Sequence, residues 1–398
     1  MAQQKLYLKK FYKNKGNLIP IVIFVAAILF VIVMNTRVGA ESNFLAMAQD
    51  EIKTNKAMRD LNEQTMKELA ETEEEKADFK ANQDASNIRI QEQERMVSLY
   101  KNEDWSEAYK WKIRFLKEAY GTNASEAQFS TELKEAILRQ IVVYEKLEKL
   151  DIKADQEDLE VQGVTFLYRM LANFFPVLFV IILCFTLNTV FTNRFRNNLD
   201  RSLLFPQKYV RGTSERLLFA LSIAIFSYVL SGVTAYLSAS LLSGAGSLKY
   251  PMALNTGSEI VTKPVGELLW QTVCLQILAI VVVILTIDFI SKICRRAMPT
   301  LFISLLVLAT PVLAVGKIEP LNRWAHLLPG SYFNATSICD NTLALLCDNG
   351  NITFINGIFV LVATIVVLLV LIYGIDIRRR SMITLGSSIK NSELLNNI

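Results

Sequence analysis

The chain has 398 residues, 52% of them hydrophobic and only 20% charged, a composition too apolar for the two or three soluble domains its length could hold. Its net charge of +4 hides a segregation: residues 37–165 carry 19 Lys+Arg and 28 Asp+Glu, and the rest of the chain 23 and 10. The basic excess lies in short clusters beside apolar runs, as in cytoplasmic loops of membrane proteins, which argues against a nucleic-acid partner. One His and five scattered Cys leave little material for a metal site or a disulfide scaffold.

Residues 1–17 open the chain with Lys5, Lys9, Lys10, Lys13 and Lys15. On a helix, Leu8, Phe11 and Tyr12 share one face and Lys5, Lys9 and Lys13 another, which predicts an interfacial helix on the inner leaflet. The alternative is a disordered basic tail drawn to anionic lipid. The first apolar run, Leu18 to Met34 within segment 18–36, is long enough to span a bilayer. A signal peptide is the competing reading of this basic-then-apolar start. The run is long for one, ends in Asn35, Thr36 and Arg37, and has only a weak small-residue cleavage pattern around Val38 to Ala40, so we read a retained anchor.

The segment 37–165 contains no proline and, from Glu41 to Glu160, only Gly121 as a breaker, so it is expected to be helical throughout. Leu133, Ile137, Ile141 and Tyr144 build an apolar stripe near its end, while Leu45, Ile52, Leu61 and Leu69 are sparse in its acidic first half. Trp105, Tyr109, Trp111, Ile113, Phe115 and Leu116 supply bulk for a small bundle. An acidic, aromatic surface of this kind could receive a cationic peptide. The alternative is that its charge only keeps exposed helices soluble.

Residues 166–375 hold five more apolar runs: Phe166 to Phe191, Leu217 to Ser243, Leu268 to Ile287, Thr300 to Val315 and Phe354 to Ile375. The expected fold is therefore all-α: six transmembrane helices, with a helical extracellular domain between the first two. Lys+Arg number 18 in the four segments of one side, which include the tail 376–398, and four in the two short loops of the other, one of them 316–353. Both termini are then cytoplasmic and 37–165 external. Asp288 sits at the inner end of span four, with Lys292 one turn on as its partner.

No phosphate-binding loop G-x-x-x-x-G-K-[ST] and no H-E-x-x-H occur, so no catalytic residue and no metal ligand is assigned. The cytoplasmic loop 193–216 reads, from Asn193 to Pro206, as a short amphipathic helix with Phe195, Leu199 and Leu203 on one face. With Arg211-Gly-Thr-Ser-Glu-Arg-Leu-Leu218 behind it, the stretch resembles the loop between spans two and three of six-helix permeases of the type-2 ABC exporter family. Leu327-Leu-Pro-Gly-Ser-Tyr-Phe-Asn334 similarly looks like the Leu-Pro-x-x-Tyr-Phe signal before the final span of bacterial members.

The resemblance implies a permease subunit without nucleotide site or cofactor of its own. ATP and Mg would be bound by a separate ATPase subunit, and a second permease subunit, identical or not, would complete the transporter. Phe195, Arg196, Leu199, Asp200, Arg201, Leu203 and Phe205 would form the coupling helix that docks on the ATPase. Spans two and five would line a cavity for a hydrophobic or amphipathic cargo (a peptide, lipid or drug-like molecule), with Phe174, Phe175 and Phe179 as candidates. Cys339 and Cys347, eight positions apart in the last external loop, are candidates for a disulfide. From other classes, the alternatives are a membrane-anchored peptide sensor or immunity protein, and a secondary transporter, for which no convincing internal repeat is found.

Overall fold

The computed structural model describes residues 2–69, 72–123, 131–196, 199–201, 209–257 and 259–395. It is mostly helical and contains, among the described residues, six helices long and apolar enough to cross a membrane. Its contacts divide the chain into two compact units, one of residues 1–29, 170–235 and 268–398 and one of 30–169 and 236–267.

The first unit begins with helix α1 (Ala2–Lys13), from which a single 3-10 turn, Lys15–Asn17, leads into α2 (Ile19–Ser42), the first candidate span. Asn17 is buried and fixes this corner: its amide donates to the Phe11 carbonyl at 3.3 Å, and its Oδ1 accepts from the Thr189 hydroxyl at 2.6 Å. The second candidate span is not one helix. The chain enters it from α7 (Gly163–Asn173), and the span itself is a π-helical turn at Phe175–Phe179 followed by α8 (Val180–Thr192). The break has a plain cause, since Pro176 lacks an N–H and its ring clashes with the carbonyl four residues back, so the ladder skips a residue and Phe179 donates to Phe174, five back.

The remaining candidate spans are α9 (Tyr209–Ser243), α10 (Val265–Cys294), α11 (Ala297–Ala314) and the long α15 (Phe354–Leu395). Between α11 and α15 lie α12 (Glu319–Trp324), α13 (Ala335–Cys339) and α14 (Thr342–Leu346), together with a 3-10 turn at Pro329–Phe333. That turn is the Leu327–Asn334 motif, and it acts as a wedge. Tyr332 and Phe333 are fully buried, Tyr332 lies against Gly357 of α15, where a Cβ would come 2.6 Å from its ring, and Gly330 meets Pro311 of α11 in the same way at 2.5 Å. Small residues at both contacts let the turn and helices approach closely.

The second unit is built on α3 (Phe44–Leu69), α4 (Glu73–Lys101), α5 (Trp105–Asn123) and α6 (Thr131–Leu150). The sequence leads one to expect helix throughout; the described residues form four separate helices. Two of the turns need no glycine, because Glu103 and Asp151 adopt the left-handed region themselves, at φ 64° and 48°. Acidic residues of the exposed faces pair across helices, as in Lys56–Glu94, Lys112–Glu51 and Lys117–Glu145.

The unit also takes in a β-hairpin that hydrophobic patterning did not reveal. Strands β3 (Pro251–Asn255) and β4 (Ile260–Pro264) follow a two-residue antiparallel ladder, β1 (Phe195–Arg196) with β2 (Leu199–Asp200), which belongs to the first unit. β3 and β4 pair in register from Pro251–Pro264 to Asn255–Ile260 and pack on α6. The second unit thus takes in residues well outside 37–165.

The core of this unit is aromatic. Phe44 stacks on Tyr100 at 4.3 Å, and Tyr109 lies edge-on to both and 5.4 Å from Tyr144. The Tyr109 hydroxyl donates to the Ile152 carbonyl and accepts from the Ala154 N–H, which pins the non-helical stretch 151–162. Asp155 organises that stretch, accepting from the Thr165 hydroxyl and from the N–H groups of Gln156, Val161 and Gln162 at the entry to α7. Burial still pushes the Asp155 carboxyl up, against these donors.

Burial raises the tyrosine phenols as well: Tyr100 is pushed up to about 12, and Tyr109, Tyr144 and Tyr250 move in the same direction. A phenol whose folded pKa exceeds its unfolded one contributes stability that is complete below about pH 10 and is lost as pH rises through the folded value. The four-helix unit is therefore expected to melt cooperatively above about pH 10. An absorbance titration of phenolate, followed alongside helical circular dichroism, checks this; phenolate appearing fully before any loss of helix would contradict it.

Candidate functional site

The charges expected to line a membrane edge are gathered inside the first unit. Lys292 and Asp288 of α10 are completely buried, one turn apart, with Nζ 3.6 Å from Asp288 Oδ2. Lys292 also pairs closely with Asp376 of α15 and donates to the Ile372 carbonyl at 3.3 Å. Asp376 accepts a second bond, at 2.9 Å, from the Thr213 hydroxyl near the start of α9, and Thr213 in turn accepts from Arg216. The Asp288–Lys292 pair expected from the sequence is thus only one edge of a network reaching three candidate spans.

The network extends into the loop between α8 and α9. Arg194 Nη2 lies 3.3 Å from Asp288 Oδ1 and its Nε 3.8 Å from Asp200 Oδ2, while its guanidinium sits over the Phe195 ring at 4.5 Å. The Arg201 N–H donates to the Arg194 carbonyl at 2.9 Å and closes the β1–β2 turn. Three cations (Arg194, Arg216, Lys292) and three anions (Asp200, Asp288, Asp376) are buried together, so the cluster carries no net charge. Neutrality is what makes it tolerable in a low-dielectric interior, where an unpaired charge costs several kcal/mol, of order 3–5.

These positions correct the expected coupling helix. The described part, Phe195–Arg196 and Leu199–Asp200, is a tight antiparallel turn, because Arg194 and Asp200 are drawn to one buried partner set, and a helix would carry them apart. Asp200 is buried and Arg201 exposed; Leu203 and Phe205 lie outside the described residues.

The aromatic candidates fall at the π-helical turn. Phe175 and Phe179 stack at 5.2 Å, each within 6 Å of the Tyr228 ring of α9, and Phe24 of α2 lies 5.5 Å from Phe179 and 6.3 Å from Phe174. Phe175 and Phe179 are buried and Phe174 half-buried, so the cluster is packed and not an open passage. Gln276 of α10 crosses to this break: its amide donates to the Leu171 carbonyl at 3.0 Å and its oxygen accepts from the Tyr228 hydroxyl at 2.8 Å. A neighbouring helix thus supplies a hydrogen bond where proline interrupts the ladder, as lipid cannot.

Cys339 and Cys347 are buried and not joined by a disulfide. Among the described residues, no three His, Cys, Asp or Glu side chains group as a metal site. Of the aromatic residues offered for peptide capture, Trp105 and Trp111 are half-buried, whereas Tyr109 is completely buried in the tyrosine core and presents no surface. No family model, curated protein or solved structure matches the chain.

Proposed function

We propose that this chain is the membrane-embedded permease subunit of an ATP-driven exporter, working with a separate ATPase and a second permease subunit. In this reading both termini and the 193–208 loop are cytoplasmic, and the helical unit with its hairpin is external, at a bacterial plasma membrane. The observation that carries it is the tie between that loop and the spans: Arg194 and Asp200 enter the same buried ionic cluster as Asp288, Lys292 and Asp376. A partner pressing on the loop could not move Arg194 alone, since that would strand Asp288 in a low-dielectric interior. Loop and spans four and six would therefore shift together, which is what coupling requires.

Nη1 of Arg194 and Nε of Arg216 make no hydrogen bond among the described residues, which supports a network able to re-pair in a second arrangement. The cargo would be hydrophobic or amphipathic, and its passage would need the Phe175, Phe179 and Tyr228 rings to separate at the π-helical turn. An exposed Arg201 gives the test. With a photo-crosslinking residue at position 201, the full chain in its native membranes is expected to capture an ATP-hydrolysing protein, and position 201 to be shielded from impermeant reagents that reach Gly246 from outside. Labelling of position 201 in sealed cells, or capture of no such protein, overturns the reading.

A further inference from the structure

Helix α1 is docked at the ends of three membrane helices and presents its outer side to whatever surrounds them. Its inner side is fixed by protein: Tyr7 and Phe11 lie 5.6 and 6.0 Å from the Phe219 ring of α9, and the Gln4 amide donates to the Glu215 carbonyl at 3.0 Å. The turn that follows is held by Asn17 between the Phe11 carbonyl and Thr189 of α8, two residues before the apolar α2 begins. The helix therefore lies at the level where α2 and α9 start and α8 ends. If those helices cross a bilayer, that level is its surface.

Successive residues advance by about 100° around a helix, so Leu8 and Tyr12 flank the docked side, followed by Lys5, Lys9 and Lys13. Leu8 is 42% and Tyr12 54% exposed, although large apolar side chains next to a packed face would normally be covered. Lys5, Lys9, Lys10, Lys13 and Lys15 are all exposed, no carboxylate pairs with them among the described residues, and the first acidic residue of the chain is Glu41. An apolar edge bordered by uncompensated cations matches one surface, the acyl boundary of a bilayer beneath anionic headgroups.

We propose that α1 is an anionic-phospholipid binding element that selects lipids with negatively charged headgroups at the mouth of the helix bundle. Leu8 and Tyr12 enter the headgroup boundary, while Lys5, Lys9 and Lys13 reach the phosphates beside them. Pinning by Phe219, Glu215 and Thr189 removes the ordering that a free basic tail would lose on binding, so the surface is ready-made. The proposal depends on the spans crossing a bilayer and not on the partner ATPase or on which side of the membrane α1 lies.

The test uses the full chain reconstituted in an equal mixture of phosphatidylglycerol and phosphatidylcholine, extracted in mild detergent, with the retained lipid quantified. Wild-type protein is expected to retain phosphatidylglycerol preferentially, and raising the salt concentration should reduce the preference. Each lysine near a charged surface changes the partition by about fivefold, so K5Q/K9Q/K10Q/K13Q should lower the enrichment at least about tenfold. A control with Lys53, Lys101, Lys146 and Lys149 changed to Gln, exposed residues of the other unit, should retain it. No enrichment by the wild type, equal enrichment by the α1 variant, or equal loss in the control would each overturn the proposal.

Discussion

Lys292→Met is expected to destabilise the chain by about 3–5 kcal/mol, read as a lowered thermal midpoint of the purified protein in detergent. The substitution leaves Asp376 with only the Thr213 hydroxyl and Asp288 with only Arg194. One carboxylate then remains uncompensated in a site from which all three side chains are excluded from solvent. Asp376→Leu should do similar damage from the opposite side, stranding the ammonium. The informative variant is the double one. Lys292→Met with Asp376→Leu removes a cation and an anion together, keeps Arg194 on Asp288, and should recover most of the loss, because apolar replacement of a buried pair is often close to neutral. A double variant as unstable as the sum of the two singles would mean that the pair does not interact as described. Under the proposed function, the double variant should fold yet couple poorly to an ATPase, since the link between Arg194 and α15 is cut.

Phe179→Ala is expected to cost roughly 2–3 kcal/mol from the cavity term alone. The full penalty measured in water-soluble cores does not apply, because a phenylalanine leaving this core enters lipid and keeps its apolar surroundings. What is lost is contact with Phe24, Phe175 and Tyr228 around a side chain only 1% exposed. Phe226→Ala on α9, a residue 60% exposed, should change stability by less than about 0.5 kcal/mol. Thermal unfolding of the two variants side by side distinguishes a packed cluster from a lined passage. If Phe179 faced open space, its truncation would be as harmless as that of Phe226.

The six candidate spans were legible because a bilayer demands about twenty apolar residues in a row, and this demand is written in one dimension. The structure keeps their number and order, although the second begins at Phe175 and not at Phe166: Leu217 to Ser243 lies within α9, and Thr300 to Val315 nearly matches α11. The interruption of the second span was marked by Pro176, yet proline tolerates several outcomes in a membrane helix. That the ladder would pass through a π-helical turn, with Gln276 satisfying Leu171, depends on where α10 stands.

Composition alone was less informative between the spans. Absence of proline, with Gly121 the one glycine, pointed to helix over 41–160, and helices do fill most of it. The turns at Glu103 and Asp151 and the stretch 151–162 are instead made by acidic residues, with Glu103, Asp151 and Asp158 at positive φ and Asp155 acting through its hydrogen bonds. Such chemistry leaves no breaker to read. The β3–β4 hairpin escaped for a related reason: ten paired residues in a short loop carry little periodicity, and their stability comes from packing on α6.

By itself, then, the sequence determined the apolar lengths, the charge asymmetry of the loops, the helical bias of 37–165 and the basic start of the chain, since each depends on composition along the chain. Tertiary structure decided what the charged and aromatic residues do. Arg194, Asp288, Lys292 and Asp376 are separated by as many as 182 positions and become one neutral cluster only because burial forces opposite charges together. Phe195, Arg196, Leu199 and Asp200, expected on a coupling helix, pair instead as two short antiparallel strands beside the ion pair of Arg194 with Asp200, an influence no local pattern encodes. Tyr109, read from the sequence as bulk for the bundle, does lie in its core, but that its hydroxyl would serve two backbone groups, at Ile152 and Ala154, only the fold decides by bringing them within reach.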